Sequence, residues 1–277
     1  MMNDAERNQD ALQLEALLVS RRYLYTLFHK LTGGTPDTDL VSLLLGETTA
    51  DCLDEFSAHS ETLVGFKKFL AEIAGFDRGY LIDSIKDEYT RIFVGPAALP
   101  ASPYESPYTG THDMTVFQEN TIQVRKLYAA EGLEPKRLMA VPDDHISLMC
   151  AFQAEMASRS LELLRAGDAA ALAATLRTQG MFVEQHMANW LGTFAKSVRN
   201  AKAGRLAVLY PQLLEAMTAF AKADVDFLVE TAFWAESQEA LAPTEPAPEL
   251  AEAEAQQAKL AGIHPFGIRD NELVSLV

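Results

Sequence analysis

The chain has 277 residues, 48% of them hydrophobic and 22% charged, a balance that excludes a wholly disordered protein and allows a full-sized core. Its 39 acids against 23 bases give a net charge of −16, the wrong sign for nucleic acid and a favourable one for drawing in a basic peptide. No apolar run approaches the ~18 residues of a membrane span, and the polar start MMNDAERNQDALQ lacks a signal-peptide apolar region, so a cytoplasmic protein without membrane insertion is expected.

Leu14, Leu17, Leu24, Phe28 and Leu31 recur at multiples of three and four, one face of a helix that TGGTP ends. Shorter apolar segments follow at 38 to 45 and 49 to 75. In RGYLIDSIKDEYTRIFVGP a second stripe runs through Leu81, Ile85, Tyr89, Ile92 and Phe93, and Gly95 with Pro96 closes it. The stretch GPAALPASPYESPYTG, residues 95 to 110, cannot be helix throughout. Its prolines at 96, 100, 103 and 107 fix φ, remove donors and push the preceding residues toward extended geometry. Such a loop holds Tyr104 and Tyr108 either at a binding surface, with little entropy left to lose, or against its own core.

Beyond the loop, Asp113 is an N-cap candidate for a helix carrying Val116, Phe117, Ile122, Val124 and Leu127, closed by Gly132. A further helix begins just after Pro142, with Ile146, Met149, Phe152, Gln153 and Met156 on one face and AGD at its end. Two more helical stretches reach Ser237, broken near NAKAG. No segment alternates as a strand would, so the expected class is all-α, a single helical-bundle domain over 1–237. Residues 238–277 shift to Ala, Glu and Pro and read as a flexible acidic tail. That tail holds seven acids against two bases, −5, which leaves −11 on the body. Its end, GIHPFGIRDNELVSLV, regains apolar character, as a short docking segment would.

No phosphate-binding loop, GxGxxG, GxSxG or HExxH occurs. Cys52 and Cys150 lack CxxC spacing and read as small buried residues. The dense polar group is PDDH, Pro142 to His145. Asp143 or Asp144 there serves as a helix N-cap, whereas His145 either bonds a neighbouring carboxylate to hold a loop or faces a ligand. A metal would have only Asp144, His145 and a distant His29 or Glu155, so neither metal nor cofactor is expected.

DEYTRIFVGPAALPASPYESPY resembles the E-Y/F-x-R-L/I-F-x-G-P…P-P-W/Y-E-S-x-Y signature of the TorD/DmsD/NarJ-type redox-enzyme maturation chaperones, and VPDDHISLMCAF resembles their second signature, E-P-D-D-H-I/L. The resemblance implies a cytoplasmic, non-enzymatic, all-helical chaperone, monomer or dimer. Its partner would be the twin-arginine leader of a molybdopterin oxidoreductase subunit, held back from export until the cofactor is inserted. It also implies a peptide-binding surface of Tyr89, Phe93, Gly95, Pro96, Pro103, Tyr104, Glu105, Ser106 and Tyr108 with Pro142, Asp143, Asp144 and His145. A leader presents paired guanidiniums followed by an apolar segment. Glu105, Asp143 and Asp144 are the expected acceptors for its arginines, and Phe93, Tyr104 and Tyr108 the apolar wall. Tyr104 stands where many members carry Trp, Val141 where Glu is frequent and Met149 where some have Glu. The alternatives are a delta-type assembly subunit of a membrane-associated reductase and, against the missing phosphate loop, a His145-dependent enzyme or nucleotide hydrolase.

Overall fold

The computed structural model describes residues 4–58, 60–95, 99–109, 119–136, 141–201, 208–238, 241–262 and 265–268. The first apolar stripe forms α1 (Asp4–Gly33), and three short helices follow: α2 (Thr38–Leu44), α3 (Glu47–Glu55) and α4 (Glu61–Ile73). Asp37 and Ser60 accept from the backbone N–H three residues on and start α2 and α4. Asp77 does the same for α5 (Arg78–Tyr89), which widens into a π turn over Thr90–Val94. Gly95 ends that turn with φ +88°, its N–H donating to Thr90 O at 2.8 Å. That conformation suits a residue without Cβ.

The proline-rich loop leads through α6 (Ser106–Thr109) to α7 (Glu119–Ala130) and β1 (Leu133–Pro135). Asp113, Val116 and Phe117 lie outside the described residues, as does Pro96. The remaining helices are α8 (Ile146–Ala166), α9 (Ala169–Val183) with a π turn at Glu184–Ala188, α10 (Leu191–Asn200) and α11 (Tyr210–Ser237). Helix α1 lies along α8, α8 touches α9, and α11 packs on α9 and α10. The protein is all-α, as its periodicity predicts.

Two polar groups fix this packing. Arg21 of α1 is wholly buried and donates to Asp224 Oδ1 of α11 at 2.6 Å, to Gln153 Oε1 of α8 at 2.6 Å and to Gln179 of α9. Tyr25 adds its hydroxyl to Asp224 Oδ2 at 2.7 Å. One guanidinium thus ties four helices together, its charge balanced by a carboxylate that shares its burial. The second group is Glu88 of the first motif, also buried. Its Oε2 accepts from the N–H groups of Leu209, at 2.8 Å, and Val208, at 3.2 Å, placing an anion at the positive start of α11.

The segment expected as a flexible tail is docked where it is described. Thr244 N–H donates to Arg165 O at 3.0 Å, and a short 3₁₀ turn, Pro248–Leu250, enters α12 (Ala251–Ala261), which packs on α1. Glu254 of α12 accepts from Arg22 and Arg165, Gln257 donates to Thr26 Oγ1 at 2.8 Å, and Leu260 is buried. Gly167, at the end of α8 with φ +76°, lets this segment pass: a Cβ there would stand 2.4 Å from Leu241 O. The chain then forms β2 (Phe266–Ile268), antiparallel to β1 with Leu133 opposite Ile268 and Pro135 opposite Phe266. Strands of three residues are too short for alternation to announce them. The compositional reading of 238–277 misses these contacts because an Ala/Glu-rich segment is also a good helix former.

Candidate functional site

The two sequence motifs meet. Ile146 N–H donates to Pro103 O at 3.0 Å and Glu105 N–H to Asp144 O at 3.1 Å, so Tyr104 and His145 face each other as a single antiparallel bridge. Side chains at such a position approach closely, and the Tyr104 ring stands edge-on to the His145 ring with centroids 5.0 Å apart. Residues about forty positions apart thereby form one joint.

Asp144 locks that joint from inside. Its Oδ2 accepts from Ser106 N at 3.0 Å and from the Ser106 hydroxyl, and its Oδ1 from Thr121 Oγ1 of α7 at 3.1 Å. Asp143 binds Arg125 of α7, with Nε at 2.8 Å, while Tyr128 donates its hydroxyl to Asp143 O at 3.0 Å. Glu105 faces His186 Nδ1 at 3.0 Å. Burial pushes the Glu105 carboxyl above the usual range, and His186 works in the opposite direction. Glu105, Asp143 and Asp144 are each 1% exposed.

This geometry corrects two expectations. Neither aspartate caps α8: His145 does, its Nδ1 accepting from Ser147 N at 3.1 Å. And the three carboxylates are not accessible forks for a ligand's arginines, because each is buried and already satisfied by groups of the fold. Their partners Thr121, Arg125, Tyr128 and His186 lie 15 to 81 residues away, where no local sequence pattern points to them.

The aromatic residues of the first motif form a continuous row. Tyr89 stacks on Phe93 at 5.2 Å across the π turn, Phe93 meets Phe194 of α10 at 6.3 Å, and Tyr108 stacks on Trp190 at 5.3 Å. Tyr108 donates its hydroxyl to Ser102 O at 2.8 Å, and burial pushes that hydroxyl's pKa up to about 12. Tyr108 therefore braces its own loop. Pro103 and Ser106 are buried, whereas Phe93, Gly95, Tyr104, Tyr108 and Pro142 are half-buried and Val94 is 64% exposed.

Among the described residues no carboxylate pairs with the His145 ring. Burial, with His29 nearby, pushes its pKa down to about 4, so it is neutral at pH 7 and suited to accept from Ser147 N. A depressed value means that the folded state resists protonation. Its contribution is complete above about pH 6.5 and is lost as pH falls toward 4, at up to about 1.4 kcal/mol per pH unit. His145→Asn keeps a capping oxygen without the titration. Urea unfolding at pH 7 and pH 5 should show a smaller acid loss for this variant than for the parent.

Cys52 and Cys150 are buried and free, and burial raises both thiols. His29 Nδ1 lies 2.9 Å from Ser147 O, and Glu155 pairs with Arg159. Among the described residues no three His, Cys, Asp or Glu side chains converge as a metal site, and no helix is long and apolar enough to cross a membrane.

The all-helical fold agrees with what the two motifs imply, and the fold brings those motifs together at the Tyr104–His145 bridge. The family model described as "Nitrate reductase delta subunit" matches residues 59–196, about half the chain and both motifs. The chain belongs to this TorD/NarJ/DmsD family. It is 29% identical over 96 residues to the protein named "Chaperone protein TorD" of Vibrio cholerae serotype O1, covering 35% of this chain and 41% of that one. To the "Tat proofreading chaperone DmsD" of Salmonella typhimurium it is 25% identical over 147 residues, 52% of this chain and 67% of that one. The chain thus spans less than half of its TorD relative, and both relatives are chaperones by name, not enzymes.

Proposed function

We propose that this protein is a cytoplasmic, non-catalytic chaperone that binds the twin-arginine leader of a molybdopterin oxidoreductase catalytic subunit, assisting cofactor insertion and delaying export. The observation that carries this reading is the joint at Tyr104 and His145, where both family motifs come together. Pro103, Glu105, Ser106, Asp143, Asp144 and His145 serve as its frame, with Tyr89 behind them. Phe93, Gly95, Tyr104, Tyr108 and Pro142 serve as its outer face. The leader's cations are drawn by the net charge of −16, not by the three buried carboxylates.

Titration of a labelled synthetic twin-arginine leader peptide tests the reading. Binding should weaken as salt rises, because the Debye length shrinks from about 10 Å at 0.1 M to about 3 Å at 1 M. Tyr104→Ala should raise Kd about five- to thirty-fold while leaving the unfolding midpoint near that of the parent. Salt-independent binding insensitive to Tyr104 would refute the proposed surface.

The family description favours one second reading, a delta-type assembly subunit that stays with a reductase. Stoichiometric copurification with the assembled enzyme, rather than with its precursor, would select it.

A further inference from the structure

The strand β2 fills a slot that belongs to the body of the protein. Phe266 is 3% exposed, its ring 5.0 Å from Tyr128 and 6.5 Å from Phe152. Phe182 closes the back of the slot, 6.0 Å from Tyr128 and 4.7 Å from Phe152. Beside it runs the edge of β1, which the chain's own residues cover through the three-residue pairing and the bond from Lys136 N to Pro265 O at 2.7 Å. So short a two-stranded pair has little stability of its own, and Phe266 adds a buried aromatic side chain to its hold.

The slot is connected to the motif joint by shared side chains. Tyr128 touches Phe266 with its ring and Asp143 O with its hydroxyl. Phe182 lies 5.4 Å from His186, the partner of Glu105. The three motif carboxylates are turned inward, so on the leader-binding reading the leader's apolar segment needs an apolar receptor near the joint.

Resting on the leader-binding reading, we propose that the β1 edge and the Tyr128–Phe152–Phe182 slot receive the apolar segment of the client's leader in extended form, and that β2 is a strap which must leave first. An incoming strand would take over the backbone pairing with β1, and a large apolar side chain would replace Phe266, as in strand-addition recognition. The strap lowers apparent leader affinity by the fraction of molecules in which it is closed.

A reversible covalent lock tests this in the full chain. Glu134 stands opposite Gly267, and Lys136 bonding to Pro265 makes theirs a hydrogen-bonded pair, with Cα atoms about 5.5 Å apart, within reach of a disulfide. The double variant Glu134→Cys with Gly267→Cys would be titrated, oxidised and reduced, with a fluorescent peptide carrying Arg-Arg followed by an apolar stretch containing phenylalanine. Circular dichroism checks that both forms are folded. The oxidised form should bind at least tenfold more weakly than the reduced form, and Phe266→Ser in the otherwise unchanged chain should bind at least tenfold more tightly than the parent. Equal binding by oxidised and reduced protein would overturn the strap while leaving the leader reading intact. Absence of binding by every form would overturn both.

Discussion

Asp224→Ala is expected to lower the unfolding free energy by about 3–5 kcal/mol, read as a large drop in the urea midpoint with little change in slope. Arg21 and Asp224 have no exposed side-chain surface. The substitution would leave a guanidinium buried without its anion, and it would also remove the acceptor of the Tyr25 hydroxyl. The magnitude reflects the orphaned charge more than the lost attraction, and a second variant separates the two. Replacing the pair together, Arg21→Met with Asp224→Leu, removes both charges, leaving the Tyr25 hydroxyl without its acceptor and Gln153 and Gln179 without their Arg21 contacts, all neutral groups. The double variant should therefore be more stable than Asp224→Ala alone. A single variant that lost under about 1 kcal/mol would show that Arg21 is not what holds α1, α8, α9 and α11 in register.

The helices themselves were legible because burial imposes a period. Leu14, Leu24, Phe28 and Leu31 are buried in α1, as are Ile146, Met149, Phe152 and Met156 in α8, and their spacing alone reports that. Gly95 was legible as a stop because a positive φ suits few other residues. The joint was legible only in part. Its motif residues stand out as segments, but the partner of each carboxylate is set by tertiary contact: Asp144 reaches 38 residues back to Ser106 and 23 to Thr121, and Glu105 reaches 81 forward to His186. A carboxylate awaiting an arginine and one already bonded within the fold look the same in sequence. The docking of residues 241–262 was hidden for the same reason, since Glu254 reads as one more acid until Arg22 and Arg165 are brought to it. Phe266 alone carried a legible hint, as a large apolar residue beyond a polar stretch.

The carboxylate of Asp144 offers the sharpest way to separate frame from surface. Asp144→Ala is expected to destabilise the protein by about 2–4 kcal/mol, the cost of leaving several buried donors without an acceptor that carries charge. The three donors are Ser106 N–H, the Ser106 hydroxyl and Thr121 Oγ1. Asp144→Asn should cost much less, about 1 kcal/mol. Its amide oxygen can still accept from Ser106 N–H, and the Thr121 hydroxyl can rotate to accept from the new NH₂ group. Leader affinity should follow stability for these two variants: weakened in Asp144→Ala, where the proline-aromatic loop loses its anchor, and close to the parent in Asp144→Asn. Tyr104→Ala should behave in the opposite way, losing affinity without comparable loss of stability, because its ring is half-buried and meets the edge of His145. Measuring urea midpoints and leader Kd on the same three variants decides the matter. If Asp144→Asn keeps full stability yet loses the leader, the Asp144 charge itself contacts the ligand, and the surface proposed around Tyr104 has to be extended inward to include it.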